Sequence, residues 1–301
     1  MRILVTGTQG QIVRALLERG RAEGVAIEAL GRPDYDLLAP SRLVEAISAS
    51  SADVVVNAAA YTAVDKAESE PEIAAAINGA AAGEIAWAAA LRAAPVIQLS
   101  TDYVFDGALA RPYREDDPLA PINVYGRSKL VGELAVAAAN PRHVILRTAW
   151  VYSPFGANFV KTMLRLGETH GTVRVVADQW GSPTSAFDLA DAILAIARRL
   201  TAAPAEASLR GVFHLVGSGE ASWADFAEAI FAEARGFGRA PVAVARIATA
   251  DYPTPARRPA NSRLDTSKLR AVYGITPPDW RASLASCVER LTTGVDLPGA
   301  S

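Results

Sequence analysis

The first 150 residues alternate short β-branched runs with longer alanine-rich stretches, and this rhythm leaves few folds open. Ile3–Val5, Val25–Leu30, Val54–Asn57, Val96–Leu99 and Val144–Leu146 read as strands buried on both faces. Between them, 12–20, 41–49, 71–92 and 124–139 read as helices. The strand–helix–strand order predicts an α/β fold, a Rossmann-type doubly wound parallel sheet covered on both sides. Ligands of such sheets sit beyond the carboxyl ends of the strands. The unusual residues of the sequence fall there: Gly7–Gly10, Arg32, Ala58–Thr62, Ser100–Tyr103 and Thr148–Trp150.

After residue 150 the rhythm loosens. "SPFGANF" and "DQWGSPTSAF" are turn-rich, and "DYPTPARRPANSRLD" is a Pro/Arg segment unsuited to a helix. Helices are predicted near 158–168, 187–200, 222–235 and 279–291, a short strand near 212–216, and an exposed loop at 202–208. The division expected is a dinucleotide-binding part at 1–150 and a smaller, mainly substrate-binding C-terminal lobe at 151–301, interleaved with the last sheet strands.

Basic and acidic residues nearly balance, 30 against 32, with no long run of one sign. Neither a nucleic-acid footprint nor a polybasic membrane signature is present. Cys287 stands alone, so there is no internal disulfide framework. His143, His170 and His214 are scattered without metal-ligand spacing, and no metal site is assigned. The N-terminus enters a strand and a glycine turn within seven residues, unlike a signal peptide. The stretch 73–91 holds one charge, Glu84, but Asn78, Gly79, Gly83 and its alanines make it weakly apolar. A packed helix is expected rather than a membrane span, and the chain reads as soluble and cytoplasmic.

"VTGTQGQIV" puts Gly7 and Gly10 between a strand and a helix. Such a turn presents backbone N–H groups, and the helix N-terminus can hold a pyrophosphate. A glycine pair alone also fits an ordinary strand-to-helix turn; its position at the start of the alternation favours the dinucleotide. The third glycine of the spacing is replaced by Val13, which is expected to weaken binding without abolishing it. Strand two ends in Gly31-Arg32, where an NAD site carries an acid for the ribose hydroxyl. Arg32 suits a 2′-phosphate, although a solvated loop cation would look the same. Asp36 and Leu37 are placed to border the adenine. NADPH is favoured and NADH stays open.

"NVYGRSKLVGE" holds Tyr125 and Lys129 four residues apart, on one helix face. Only four lysines stand against 26 arginines in the chain, so a lysine here is informative. A free phenol titrates near ~10, too high for efficient proton transfer at neutral pH. A nearby ammonium is expected to lower it, and it can also bond a ribose. "STDYVF" supplies Thr101 at the end of strand four to hold a carbonyl oxygen. Thr101, Tyr125 and Lys129 together suit hydride transfer to a ketone.

The ordered set "VTGTQGQ", "NAAAYTAVDKAESEP", "STDYVFDG", "NVYGRSKLVGE", "LRTAWVYSPFGANFVKTML", "DQWGSPT" and "RPANSRLDTSKL" resembles the dTDP-4-dehydrorhamnose reductases, extended short-chain dehydrogenases, over about residues 1–291. The resemblance implies reduction of dTDP-4-dehydro-β-L-rhamnose to dTDP-β-L-rhamnose by NAD(P)H, the last step of dTDP-L-rhamnose biosynthesis. It implies Tyr125 as proton donor to the C4 oxygen, Lys129 on the nicotinamide ribose and Thr101 on the carbonyl. Gly10, Gln11, Ile12, Arg32, Asp36, Leu37, Ala60, Tyr61 and Thr62 match cofactor positions. Asp102 is implied as a substrate contact and Trp150 as the aromatic packed on the sugar, or else a core tryptophan. Arg258 would face the nucleotide diphosphate or pair with a surface acid. Magnesium accompanies some members; residues 14–15 are Arg-Ala, no acidic cluster calls for the ion, and it is left open, as is a homodimer. Two other readings use the same motifs: another nucleotide-sugar reductase or epimerase, and a non-catalytic dinucleotide-binding regulatory subunit like that of methionine adenosyltransferase.

Overall fold

The structure, a computed structural model, describes residues 1–294, so the last seven residues of the expected C-terminal lobe lie outside the described residues. Six parallel strands form the main sheet: β1 (Arg2–Thr6), β2 (Ala26–Leu30), β3 (Val54–Asn57), β4 (Val96–Thr101), β5 (His143–Thr148) and β6 (Gly211–His214). Across the sheet they run β6–β5–β4–β3–β1–β2. The chain steps from β1 to β2, then crosses back to β3, so the order reverses between β1 and β3. That switch point opens a crevice at the carboxyl ends.

The period of two in the strands sorts their side chains into separate cores. Ile3, Val5, Val54, Val56, Ile97 and Leu99 face one side, under α1 (Gln11–Ala22) and the later helix Ala186–Ala202. Leu4, Val55, Val96 and Ile145 face the other, under α2 (Ser41–Ala49), α3 (Pro71–Ala90) and α4 (Val124–Ala139). α3 is long and apolar enough to cross a membrane by length and composition, but half of it is buried inside the fold. Its glycines fit it to α4: a Cβ on Gly83 would stand 3.0 Å from Ala135, and one on Gly132 of α4 2.0 Å from the Asn78 carbonyl. α4 starts where Asn123 caps it, the side chain accepting from the Gly126 N–H at 2.7 Å.

Beyond β5, the helices Phe159–Gly167, Trp223–Gly236 and Trp280–Thr293 enclose a third core around Tyr152, Phe226, Ile230 and Trp280. A parallel strand pair, Thr172–Val176 with Ala243–Ile247, borders it. The sequence reading missed both strands. Their partners lie 71 positions apart in register, and Ala243–Ile247 is largely exposed, which blurs its apolar alternation.

Candidate active site

A cleft of about 840 Å³ lies along the carboxyl ends of β1–β5. Its β1–β2 wall is main chain. Gly7 takes a φ of 93°, a conformation that glycine adopts without strain, and its N–H donates to the Leu30 carbonyl at 2.6 Å. A Cβ on Gly31 would stand 3.0 Å from Gly7 Cα and 3.1 Å from Thr8 N, so this crossing needs glycine as well. Gly10 begins α1 with no side-chain cap and no acid in the first turn. The helix therefore points free N–H groups into the cleft, a fit for a pyrophosphate.

Val13 does not obstruct this turn. It is buried in the core beneath it and borders the cleft from there, its Cγ2 3.5 Å from where a Gly7 Cβ would be, an ordinary contact. Arg32 is exposed on the cleft wall and forms no salt bridge among the described residues. Asp36 also lines the cleft, but its Oδ1 already accepts from the Leu38 N–H at 3.0 Å and closes the loop on which Leu37 sits. Ile12, Ala60 and Thr62 line the cleft too. Tyr61 does not: its hydroxyl donates to Glu70 at 2.8 Å and its N–H to Asn78 Oδ1 at 2.8 Å. Gln11 reaches across the cleft, its Oε1 accepting from Ser153 at 2.7 Å and Asn158 at 2.9 Å.

On the opposite wall α4 brings Tyr125 and Lys129 to the end of β4. The Thr101 hydroxyl acts on the Tyr125 phenol, and Tyr103 meets the Tyr125 ring edge-on at 5.8 Å. Lys129 Nζ donates to the Leu99 carbonyl at 2.7 Å. Burial brings the Lys129 ammonium down to about 8, against the pull of Glu133. The expectation that Lys129 lowers the tyrosine is not met here. Burial, reinforced by the charge of Asp102, pushes the Tyr125 phenol well above its ordinary range, and the Thr101 bond offsets only part. Tyr125 is thus protonated at neutral pH, the form that can donate.

Asp102 is buried, and one carboxylate oxygen accepts from Thr101 at 3.1 Å while the other has no hydrogen-bond partner among the described residues. Burial pushes this carboxyl up to about 7, partly offset by the hydroxyls of Ser262 and Thr101. Thr148 Oγ1, also on the cleft, is buried and unpartnered. Trp150 stands at a φ of 50°, its indole stacked on Trp223 at 3.5 Å; a Cβ on Gly181 would fall 2.5 Å from its ring. Both indoles line the cleft. Arg258 does not line it; its Nη2 pairs with Asp65 at 2.8 Å.

The sequence reading missed Trp223, the partner of Trp150, because the two lie on different elements. It also missed Asn78, whose amide joins the Tyr61 loop to Ser128 of α4. Its position in a π-helical turn, Ala76–Ala80, has no sequence signature beyond a polar residue in an alanine run. Among the described residues no group of three or more His, Cys, Asp or Glu is placed to hold a metal, and no step below involves one.

Fold and site together define a Rossmann-type, dinucleotide-dependent oxidoreductase. The model of the RmlD substrate binding domain family matches residues 1–293. A dTDP-4-dehydrorhamnose reductase of Sinorhizobium fredii is 54% identical over 283 residues, 94% of this chain and 95% of the relative. One of Escherichia coli K12 is 42% identical over 302 residues, 97% and 99% of the two. The crystal structure of such a reductase from Clostridium acetobutylicum superposes with a TM-score of 0.88 at 37% identity, covering 97% and 99% of the chains. That of the Bacillus anthracis enzyme in complex with NADP gives 0.86 at 34%, covering 95% and 98%. The chain belongs to the dTDP-4-dehydrorhamnose reductase family.

Proposed function

We propose that this chain reduces the 4-keto group of dTDP-4-dehydro-β-L-rhamnose with NADPH, giving dTDP-β-L-rhamnose in the cytoplasm. The observation that carries the reading is one cleft holding an uncapped helix end beside Gly7–Gly10 and, opposite, Tyr125 and Lys129 of α4 with Thr101 of β4. Residues 1–150 carry the dinucleotide part, and the chain from 151 on closes the sugar side. Bound NADPH supplies the hydride to C4. Tyr125 gives its proton to the C4 oxygen, which Thr101 orients. Lys129 binds the nicotinamide ribose, and its ammonium returns a proton to the Tyr125 phenolate after transfer. Arg32 takes the 2′-phosphate, a role supported by its free guanidinium and by the NADP complex of the Bacillus anthracis relative. Trp150 and Trp223 form an apolar wall for the 6-deoxy sugar, and Asp102 and Thr148 offer it their unpartnered oxygens.

Purified protein incubated with NADPH and the dTDP-4-keto sugar tests this. Stoichiometric NADPH oxidation with formation of dTDP-rhamnose is expected. An epimerised keto sugar with NADPH unconsumed would point to an epimerase. Dinucleotide binding without turnover would point to a regulatory subunit.

A further inference from the structure

Glu133 lies one helical turn beyond Lys129 on α4, and both side chains are about 4% exposed. Its carboxylate meets two strands at once. Oε1 accepts from Ser100 Oγ at 2.5 Å and from Arg147 Nε at 2.9 Å, and Oε2 from Arg147 Nη2 at 2.7 Å. Ser100 precedes Thr101 on β4, and Arg147 precedes Thr148 on β5. Two consecutive residues of β4 therefore grip the catalytic end of α4 in turn, the Leu99 carbonyl holding Lys129 and the Ser100 hydroxyl holding Glu133, and Thr101, the next, lines the cleft with Tyr125.

We propose that Glu133 is the positioning residue of the Tyr125/Lys129 pair: it keys α4 to the ends of β4 and β5 and sets a compensating negative charge one turn from the Lys129 ammonium. This rests on the roles given to Tyr125 and Lys129 above. A buried pair of this kind is weak evidence for stability alone, since a well-packed apolar pair stabilises as much or more. Its placement serves the cations on either side. With Glu133 ionised, its carboxylate pairs with Arg147 and its charge favours the Lys129 ammonium; without it, the buried Arg147 guanidinium loses its ion-pair partner and Lys129 that support.

The other ionisable groups near Lys129 are accounted for element by element. Tyr125 shares its helix, and Asp102 and Tyr103 come from the turn after β4. β4 ends in Leu99, Ser100 and Thr101 and offers no carboxylate or cation at this end. Arg147 comes from β5. α3 presents Asn78, while its Glu72 and Glu84 are exposed. On the short helix Val64–Ala67, Asp65 and Lys66 are engaged by Arg258 and Glu70. Glu133 is the carboxylate that opposes the loss of the Lys129 proton.

The test uses Glu133→Gln and the double variant Glu133→Gln/Arg147→Met, which removes the orphaned guanidinium and so keeps a folded comparison. Lysine ammonium titration by nitrogen-15 NMR on the cofactor-free protein, with only four lysines to assign, reads Lys129 directly. Its midpoint is expected to fall by about one pH unit or more in both variants. The alkaline limb of NADPH binding and of kcat/KM should move to lower pH with it, and kcat should fall about tenfold or more. Folded variants with the wild-type Lys129 midpoint and wild-type kcat would make Glu133 a structural residue and overturn the proposal. If neither variant folds, Ser100→Ala decides, since it cuts one contact and leaves the ion pair. A severalfold drop in kcat with unchanged NADPH affinity is expected, and unchanged kcat overturns the proposal. Because the NMR and binding readouts need no sugar, a wild type that fails to turn over the keto sugar sinks the proposed reaction without deciding the role of Glu133.

Discussion

Along β1, β2 and β3 the cleft wall is largely main chain and small side chains, Gly7, Gly10, Gly31 and Ala58–Ala60; along β4 and β5 it is buried polar groups and stacked indoles. The first wall has its backbone groups either bonded within the turn or gathered at a helix end. The second leaves an Asp102 oxygen and Thr148 Oγ1 buried without partners and holds Trp150 at a positive φ. Buried unpartnered polar atoms are costly, and proteins keep them where a ligand completes the bonding. One wall is thus a rigid cradle for a ligand of fixed shape. The other is a reactive surface whose own stability is lowered to leave donors and acceptors for a sugar.

Four substitutions break or sharpen this contrast. Tyr125→Phe acts on the reactive wall alone and is expected to cut kcat by ~10²–10⁴ while NADPH binds as before. Single-turnover kinetics with a binding titration checks it, and near-normal kcat would remove Tyr125 from the chemistry. Val13→Gly acts beneath the cradle. Since Val13 fills core space there, the change should cost roughly 2–4 kcal/mol in urea unfolding and give no tighter NADPH binding. Unchanged stability with improved affinity would show that the valine obstructs the cofactor. Arg32→Ala at the rim of the cradle should weaken NADPH about tenfold or more, the loss of one charge-assisted contact of about 1.5–3 kcal/mol, and leave NADH nearly unaffected. Equal losses would reduce Arg32 to a loop-positioning residue.

A last effect, read in stability alone, returns to the reactive wall. The Asp102 carboxyl is raised to about 7 in the fold, above the ~3.9 of an unfolded aspartate. The folded state therefore keeps a proton that the unfolded chain has lost, and stability declines as pH rises from about 4 through about 7. Asp102→Asn should stabilise the protein by about 1–4 kcal/mol at pH 8, with the gain vanishing toward pH 4. Melting at the two pH values reads this, and a gain independent of pH would mean the carboxyl is not strained by burial.

The same contrast explains what could be read in the sequence. The cradle is legible because main-chain geometry there demands particular residues within a few positions, Gly7 and Gly10 after β1 and Gly31 after β2. Tyr125 and Lys129 are legible because one helical turn fixes their relation, and the observed α4 spans the predicted 124–139. The sugar side depends on contacts that no local pattern encodes. Trp150 meets Trp223, Gln11 bonds Asn158 at 147 positions' distance, and Arg258 finds Asp65 across 193. The phenol's proton affinity is illegible for the same reason. A spacing shows that Lys129 is near, but not that burial outweighs it or that its ammonium is turned to Leu99.

The position of β6 bears on how the chain is made. β5 ends at Thr148, and the strand that covers its edge, Gly211–His214, follows only after the helix Ala186–Ala202, which packs on α1. On the ribosome, at about 5–20 residues per second, the growing sheet waits for seconds with the outer edge of β5 unpaired. An open strand edge rich in Val, Ile and Leu invites pairing with a neighbouring chain. Nascent chains halted before residue 211 should accordingly be the ones that recruit chaperones or aggregate.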